Sequence, residues 1–403
     1  MAWLLMFSFL IACSNARPKE ISATESEVEK KTSHAIPAAE RTYIYFPLLK
    51  GKRIALVGNH TSLIRDIHLV DSLQNAGFQV DKVFSPEHGF RGTAPDGAKV
   101  ASGFDERSGV MVISLYGTRR RPTQDELAGI DVILVDMQDV GARFYTYIST
   151  MTLVMQEAAR AGTPVLVLDR PNPIGHFVDG PMLDLAFSSF VGMHPVPVVH
   201  GMTIGEFALM INGEGWLGGE LEANLKVIPV ANYSRTDFYQ LPVPPSPNLP
   251  NMRAIYLYPS LCFFEGTAIS VGRGTEFPFQ VFGSPGLPQD KFSFTFTPQS
   301  VPASINPPLL SQTCFGRDLR TIPLRYLQAK RQLDLSYLLD AYRNFPYKDR
   351  FFNNFFDRLA GSNILRNQIK AGLNENQIRQ SWQPGLEAFK KIRAKYLIYP
   401  DFE

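Results

Sequence analysis

Glu87 stands between Pro86 and His88-Gly89, directly after the apolar run Gln79-Val-Asp-Lys-Val-Phe-Ser85. A carboxyl in a partly apolar crevice is pushed toward a pKa at which it donates a proton near neutrality. Glu87 therefore has the type and setting of a general acid, with capping of the next turn as its structural alternative. Asp136, Gln138 and Asp139 close another apolar run. Alternation along a strand gives Asp136 and Gln138 one direction and leaves Asp139 beyond the strand, where it could hold a neighbour or face a substrate hydroxyl. Arg143, in Gly141-Ala-Arg-Phe-Tyr-Thr-Tyr147, reads as a guanidinium at a helix start, suited to an anionic ligand or to an ion pair with Asp139. Asp169 and Arg170 either pair around the Pro171-Asn-Pro173 turn or face a ligand. Asn248 is fixed in Pro244-Pro-Ser-Pro-Asn-Leu-Pro250, and Glu265 and Arg273 share a Gly-rich loop, as completing groups of a site or as a structural pair.

Other chemistries lack their residues. The first strand is followed by Gly58-Asn-His-Thr-Ser62 rather than a dinucleotide fingerprint, and neither a Walker-type phosphate loop nor a nucleophile elbow occurs. His60, His88 and His200 do not reach metal-ligand spacing with Asp136, so they are read as hydrogen-bonding groups and no metal or cofactor is expected. The 40 Lys and Arg against 38 Asp and Glu leave +2, unblocked by sign, which argues against nucleic acid as a partner.

The elements that must position these residues alternate in type. Apolar runs at Arg53–Asn59, Gln79–Ser85, Val110–Tyr116, Asp131–Met137 and Pro164–Arg170 read as strands. Asp66–Ala76, Thr123–Ala128 and Tyr145–Ala161 read as helices, the last stopped by Gly162, and a further helix opens on a Thr203/Glu206 capping box. Strand and helix in alternation predict an α/β fold, a Rossmann-like doubly wound parallel sheet without a nucleotide-binding motif, whose ligand lies beyond the carboxyl ends of the strands. After Asn224 the pattern turns Pro-rich, with short strands expected at 224–230, 254–257, 279–282 and 292–296 and helices at 333–344 and 385–395. The expected organisation is a catalytic domain over 43–223 and a smaller α+β C-terminal domain over 224–403 that closes the cleft. A hydrophobic share of 45% in 403 residues can fill both cores.

The first 12 residues form an apolar run too short to span a bilayer and placed like the core of a signal peptide. It ends in Leu10-Ile11-Ala12-Cys13, which resembles a lipobox and makes Cys13 the expected lipidation site. Residues 13–42 then read as a flexible tether, and the body as an exported domain held to the bacterial envelope by a lipid anchor, at the periplasmic face or cell surface. Cys262 and Cys314 sit among apolar neighbours and are expected as buried thiols.

Several long strings together resemble the NamZ (YbbC-like) family of bacterial exo-β-N-acetylmuramidases. They are Ser85-Pro-Glu-His-Gly-Phe-Arg-Gly92, Asp136-Met-Gln-Asp-Val-Gly-Ala-Arg-Phe-Tyr-Thr-Tyr147, Asp169-Arg-Pro-Asn-Pro173, Val199-His-Gly-Met-Thr203, Ser246-Pro-Asn248, Glu265-Gly-Thr267 and Gly272-Arg-Gly-Thr275. The resemblance implies a glycoside hydrolase of cell-wall turnover that releases terminal N-acetylmuramic acid (MurNAc) from peptidoglycan fragments, without nucleotide or other cofactor. It implies Glu87 as general acid and Asp139 as base or nucleophile, unless the sugar's 2-acetamido group attacks. Asn59, His60, His88, Arg91, Gln138, Arg143, Tyr145, Asp169, Arg170, His200, Asn248, Glu265 and Arg273 are the expected substrate-binding residues. MurNAc carries a lactyl carboxylate that N-acetylglucosamine (GlcNAc) lacks, and Arg143, Arg170 or Arg273 is the expected discriminating partner. The rival readings are a metal-dependent hydrolase of a wall ester or amide built on His60, His88 and Asp136, and a lipoprotein that binds muropeptides without cleaving them.

Overall fold

Five of the apolar runs do form neighbouring strands, and their register brings the polar ends into line. A computed structural model describes residues 34–87, 89–91 and 102–402; the expected signal peptide, most of the tether, Cys13 and His88 lie outside them. A seven-stranded sheet contains β1 (Arg53–Gly58), β4 (Gln79–Ser85), β5 (Gly103–Phe104), β6 (Met111–Ser114), β7 (Val132–Asp136), β8 (Val165–Leu168) and β9 (Leu225–Ile228). Between β1 and β4 lies a hairpin of β2 (Leu63–Ile64) and β3 (Ile67–His68). The order is β5-β6-β4-β1-β7-β8-β9, parallel apart from the edge strand β5. Winding runs outward from β1 through β4 to β6, then crosses to β7 and continues through β8 to β9. The topological switch point, where open α/β sheets bind ligands, is therefore the β1/β7 junction.

Alternation gives the sheet its two cores. Ala55 and Val57 of β1, with Ile133 and Val135 of β7, face one apolar cluster, while Ile54, Leu56, Val132 and Leu134 face the other. The helices obey the local signals that were read. Helix α1 (Thr42–Leu49) precedes β1 and α2 (Leu69–Asn75) joins it toward β4, while α3 (Gln124–Leu127) opens on a Thr123/Glu126 capping box. Helix α4 (Tyr147–Ala161) ends at Gly162, whose φ of 67° is left-handed, and α5 (Ile204–Gly213) opens on the Thr203/Glu206 capping box.

The C-terminal half departs more from its pattern. The strand expected at 224–230 pairs with β8 as the edge of the large sheet. The segment expected as a strand at 254–257 lies in a helix, α6 (Met252–Leu261): the Asn251 side chain accepts the Ala254 N–H at 3.0 Å, and Ala254, Ile255, Tyr258 and Leu261 recur at helical spacing on the buried side. A short apolar run alone does not separate the two outcomes. A small antiparallel sheet, β10 (Val281–Ser284), β12 (Cys314–Asp318) and β11 (Phe294–Phe296), lies beyond α6, and its central strand β12 was not foreseen. Helices α7 (Leu324–Ala329), α8 (Ser336–Asn344), α9 (Phe356–Ala360), α10 (Ile364–Lys370) and α11 (Glu375–Arg393) follow, α11 starting ten residues before the helix expected at 385. Phe263, Phe356, Leu359 and Trp382 share the core of α4 and α5. Cys262 and Cys314 are buried free thiols.

Candidate active site

A cavity of about 650 Å³ opens beyond the carboxyl ends of β4 and β6 and draws its walls from both halves of the chain. Glu87, Tyr116, Arg120, Phe144, Thr146 and Phe190 come from the large-sheet side; Tyr258, Glu265, Arg273, Asn306, Phe355 and Arg358 face them. A side recess of about 50 Å³ shares Glu87, Thr146, Tyr258 and Arg273 and is completed by Tyr145, Tyr147, Asn248 and Phe279, among others.

Each polar wall residue is held by a local device. Glu87 follows Pro86 at the end of β4, and the Thr146 hydroxyl, at the start of α4, donates to its carboxylate at 3.3 Å. Glu265 lies in a 3₁₀ turn, Cys262–Gly266, where Arg273 Nε donates to Oε1 at 2.5 Å and the Cys262 thiol to Oε2 at 3.5 Å. The turn passes so close to α9 that a Cβ on Gly266 would fall 2.3 Å from the Phe356 Cα. The Arg273 guanidinium lies 5.1 Å from the Phe279 ring centroid. The loop 244–250 is buttoned to the sheet: Tyr145 and Tyr147 hydroxyls donate to the Pro245 carbonyl at 2.8 and 3.2 Å, and His60 Nε2 meets the Pro244 carbonyl at 2.8 Å. Burial lowers the His60 pKa, which leaves a neutral ring whose Nε2–H can donate.

Of the expected site residues, Glu87, Tyr145, Asn248, Glu265 and Arg273 meet at this cavity and its recess. Asn59 stands just behind, its amide donating to the Tyr147 hydroxyl at 2.6 Å. The other expected residues that are described do not line either space. Asp139 is 4% exposed; its Oδ2 accepts the Gly141 N–H at 2.6 Å, and burial pushes the carboxyl up to about 7. The expected second catalytic carboxylate is therefore off the wall, and Glu265 is the other carboxylate among the described residues on it. His200 Nε2 is 3.9 Å from Asp139, but burial and the charges of Arg393, Arg143 and Arg235 pull its pKa down to about 3, so the two do not form an ion pair.

Arg143 is fully buried and donates to the carbonyls of Pro181, Val196 and Leu359, so it is not an anion site; burial lowers its pKa to about 9. Arg170 chelates Asp136 at 2.5 and 2.8 Å with 2% of its side chain exposed, so neither it nor Asp136 is directed at a ligand. Burial pushes the Asp136 carboxyl up against the pull of that guanidinium. The Asp169 carboxylate accepts from the backbone N–H groups of Arg170 and Gly205 and from the Thr203 and Tyr399 hydroxyls, while the Arg170 guanidinium goes to Asp136. Gln138 donates to the Asp139 and Pro171 carbonyls, and Arg91 is tied to Asp105. Further bonds, Ser62 Oγ to the Asp136 carbonyl at 2.5 Å and Gln138 N–H to Thr61 Oγ1 at 3.0 Å, stitch the β1 and β7 ends together. The switch point is thus sealed by protein, and the cavity lies to one side of it.

Several cavity residues are not singled out by the sequence, Thr146, Tyr258 and Arg120 among them. Thr146 was visible only as part of the 136–147 string. Tyr258 lies one residue beyond the segment expected as a strand at 254–257, and belongs to the helical periodicity of α6. Arg120 sits in Arg119-Arg120-Arg121, where its neighbours pair with Glu126 and Glu157 while its own guanidinium lies 4.3 Å from the Phe190 ring centroid. The arginine run itself was the available signal, since one of the pairing carboxylates lies 36 residues further along the chain. Among the described residues, no three His, Cys, Asp or Glu side chains gather as metal ligands would.

Family models of the exo-β-N-acetylmuramidase NamZ match the chain, the N-terminal one over residues 54–253 and the C-terminal one over 256–399. The chain is 36% identical over 417 aligned residues to the peptidoglycan β-N-acetylmuramidase NamZ of Bacillus subtilis (strain 168), covering 98% of this chain and 97% of that protein. Two DUF1343 family proteins of Bacteroides fragilis NCTC 9343 have similar crystal structures. One is 46% identical with a TM-score of 0.85, covering 92% of this chain and all of that one. The other is 27% identical with a TM-score of 0.78, covering 91% and 99%.

Proposed function

The chain belongs to the NamZ exo-β-N-acetylmuramidase family, and from that premise we propose that it is a glycoside hydrolase releasing terminal β-linked MurNAc from peptidoglycan fragments, with Glu87 as general acid. The observation that carries the assignment of Glu87 is its position on the wall common to cavity and recess, with a second carboxylate, Glu265, lining the same cavity from the facing side. Glycosidic cleavage needs a proton on the leaving oxygen and a group that serves the attacking atom on the other face of the ring. Glu87 supplies the proton, and Glu265, oriented by Arg273, serves the attack. The cavity volume suits a saccharide end, and the rings of Phe144, Tyr258 and Phe190 offer flat apolar faces to it.

The lactyl carboxylate is assigned to Arg120. Arg143 and Arg170 are spent on internal partners and Arg273 is bonded to Glu265, whereas Arg120 stands exposed at the cavity, braced on Phe190. Incubation with MurNAc-GlcNAc, beside a GlcNAc-terminated control, tests the activity: free MurNAc from the first alone is expected. Recovery of the disaccharide intact would identify a binding protein instead.

The proposal extends to location. Leu10-Ile11-Ala12-Cys13 supports a lipid anchor at Cys13 and an exported body; radiolabelled palmitate incorporated by the full chain and lost in Cys13→Ser is the test. No helix among the described residues is long and apolar enough to cross a membrane.

A further inference from the structure

The recess beside Glu87 contains an acceptor with no donor. Asn248 is 3% exposed, and its Oδ1 is buried without a hydrogen-bond partner among the described residues. The amide cannot be turned to cure this. Its Nδ2 donates to the Ala303 carbonyl at 3.2 Å, and a flipped amide would set oxygen against oxygen. Nor is the loop free to swing, since the Pro244 and Pro245 carbonyls are held by His60, Tyr145 and Tyr147, and the Leu249 N–H donates to Ser246 at 3.0 Å.

The opposite wall is strained. Phe279 has a φ of 55°, a left-handed conformation that a bulky residue adopts only when its surroundings impose it, here with its N–H on the Val271 carbonyl at 2.7 Å. Leu249 and the rings of Phe144, Tyr145, Tyr147 and Tyr258 also line it, the Tyr145 and Tyr147 hydroxyls being turned onto Pro245. The recess therefore offers one rigid unpaired acceptor with the apolar surfaces of Phe144, Leu249 and Phe279 beside it, while Glu87, Thr146, Ser246 and Arg273 form the polar part of its wall. Its chemical complement is a small group with one N–H and a methyl.

We propose that this recess is the pocket for the substrate's 2-acetamido group, with Asn248 Oδ1 accepting the N–H and Phe279 and Leu249 covering the methyl. The inference rests on the muramidase reading, because that substrate carries the acetamido group on C2, next to the anomeric carbon. Since Glu87 lines recess and cavity alike, an acetamido group seated here brings the glycosidic oxygen on C1 toward the Glu87 carboxyl.

The test uses two nitrophenyl β-glycosides, that of MurNAc and its 2-O-acetyl counterpart, which keeps the shape and loses the N–H. The wild-type chain is expected to favour the amide in kcat/KM by about 10-fold or more, because the ester leaves Asn248 Oδ1 buried and unpaired. Asn248→Ala is expected to lose that factor on the amide and nothing on the ester, bringing the ratio close to one. Equal losses on both substrates in Asn248→Ala, or no preference in the wild type, would overturn the assignment. If the wild type cleaves neither glycoside, the muramidase reading fails by itself. Calorimetric affinities for the same two compounds then decide the recess, and equal or absent binding overturns it.

Discussion

Two groups of polar side chains lie within a short reach of the same strand ends and behave oppositely. Glu87, Glu265, Arg273, Asn248 and Arg120 border open space. Asp136, Asp139, Asp169, Arg170, Arg143 and His200 are buried and, apart from single atoms of Asp139, Arg143 and His200, spend their hydrogen bonds on the protein. The difference arises from partners far along the chain: Tyr399 reaches Asp169 across 230 residues, and Arg143 reaches Leu359 across 216. The closed group braces the β1/β7 junction, so that the open group, one strand away, can present polar side chains to the cavity from a rigid wall. A switch point filled by ion pairs has displaced the ligand site without changing the sheet.

The sharpest test of this division is Glu87→Gln. It keeps shape and the hydrogen bond from Thr146 but removes the proton, so kcat on a MurNAc aryl glycoside is expected to fall about 10²- to 10⁴-fold with unchanged thermal stability. Unchanged turnover would remove Glu87 from the mechanism. Arg170→Leu should do the reverse. It leaves Asp136 buried without its cation, and denaturant unfolding is expected to show a loss of about 3–5 kcal/mol while the protein that remains folded keeps its kcat/KM. The double change of Asp136 and Arg170 to Leu should recover much of that loss. Selective loss of activity with intact stability would instead move Arg170 into the site.

Next in size is Arg120→Gln. A charge-assisted contact to the lactyl carboxylate is worth about 10- to 100-fold, expected in kcat/KM for the MurNAc glycoside and absent for its methyl ester. Arg358, the other exposed arginine on the wall, provides the contrast. If Arg358→Gln changes the acid-to-ester ratio and Arg120→Gln does not, the assignment passes to the opposite side of the cavity.

Legibility in the sequence follows the same division. The parallel strands were readable because burial on both faces forces near-continuous apolar runs, and α5 because its capping box is local. The polar strand ends were readable as a set, but nothing local separates Asp139 from Glu87. Their fates depend on whether the surrounding chain supplies donors or space, which is tertiary information. Helix α6 was misread because Tyr256-Leu257 reads equally as strand, and the error hid Tyr258 as a wall residue. Arg120 stands in a run of three arginines, and nothing local tells that its two neighbours are pinned by Glu126 and Glu157 while it faces the cavity.

Asp139 gives the smallest effect and the finest test, because the resemblance made it catalytic and the structure places it in the closed group. Burial raises its carboxyl from 3.8 to about 7, against the pull of the Gly141 and Val140 N–H groups. The folded state therefore holds this proton more tightly than the unfolded chain. The resulting stability is complete below the unfolded value and is lost as pH rises through about 7. Asparagine cannot ionise and still accepts the Gly141 N–H. Asp139→Asn should thus match the wild type near pH 4 and exceed it by roughly 1–3 kcal/mol near pH 8, as read from denaturant midpoints. A downward slope will persist in the variant, since burial and the Glu206 charge also raise Asp169 to about 7. If Asp139 belongs to the closed group, Asp139→Asn turns over MurNAc glycosides like the wild type at pH 6. A loss comparable to that of Glu87→Gln would make Asp139 part of the chemistry and require the recess to open onto it.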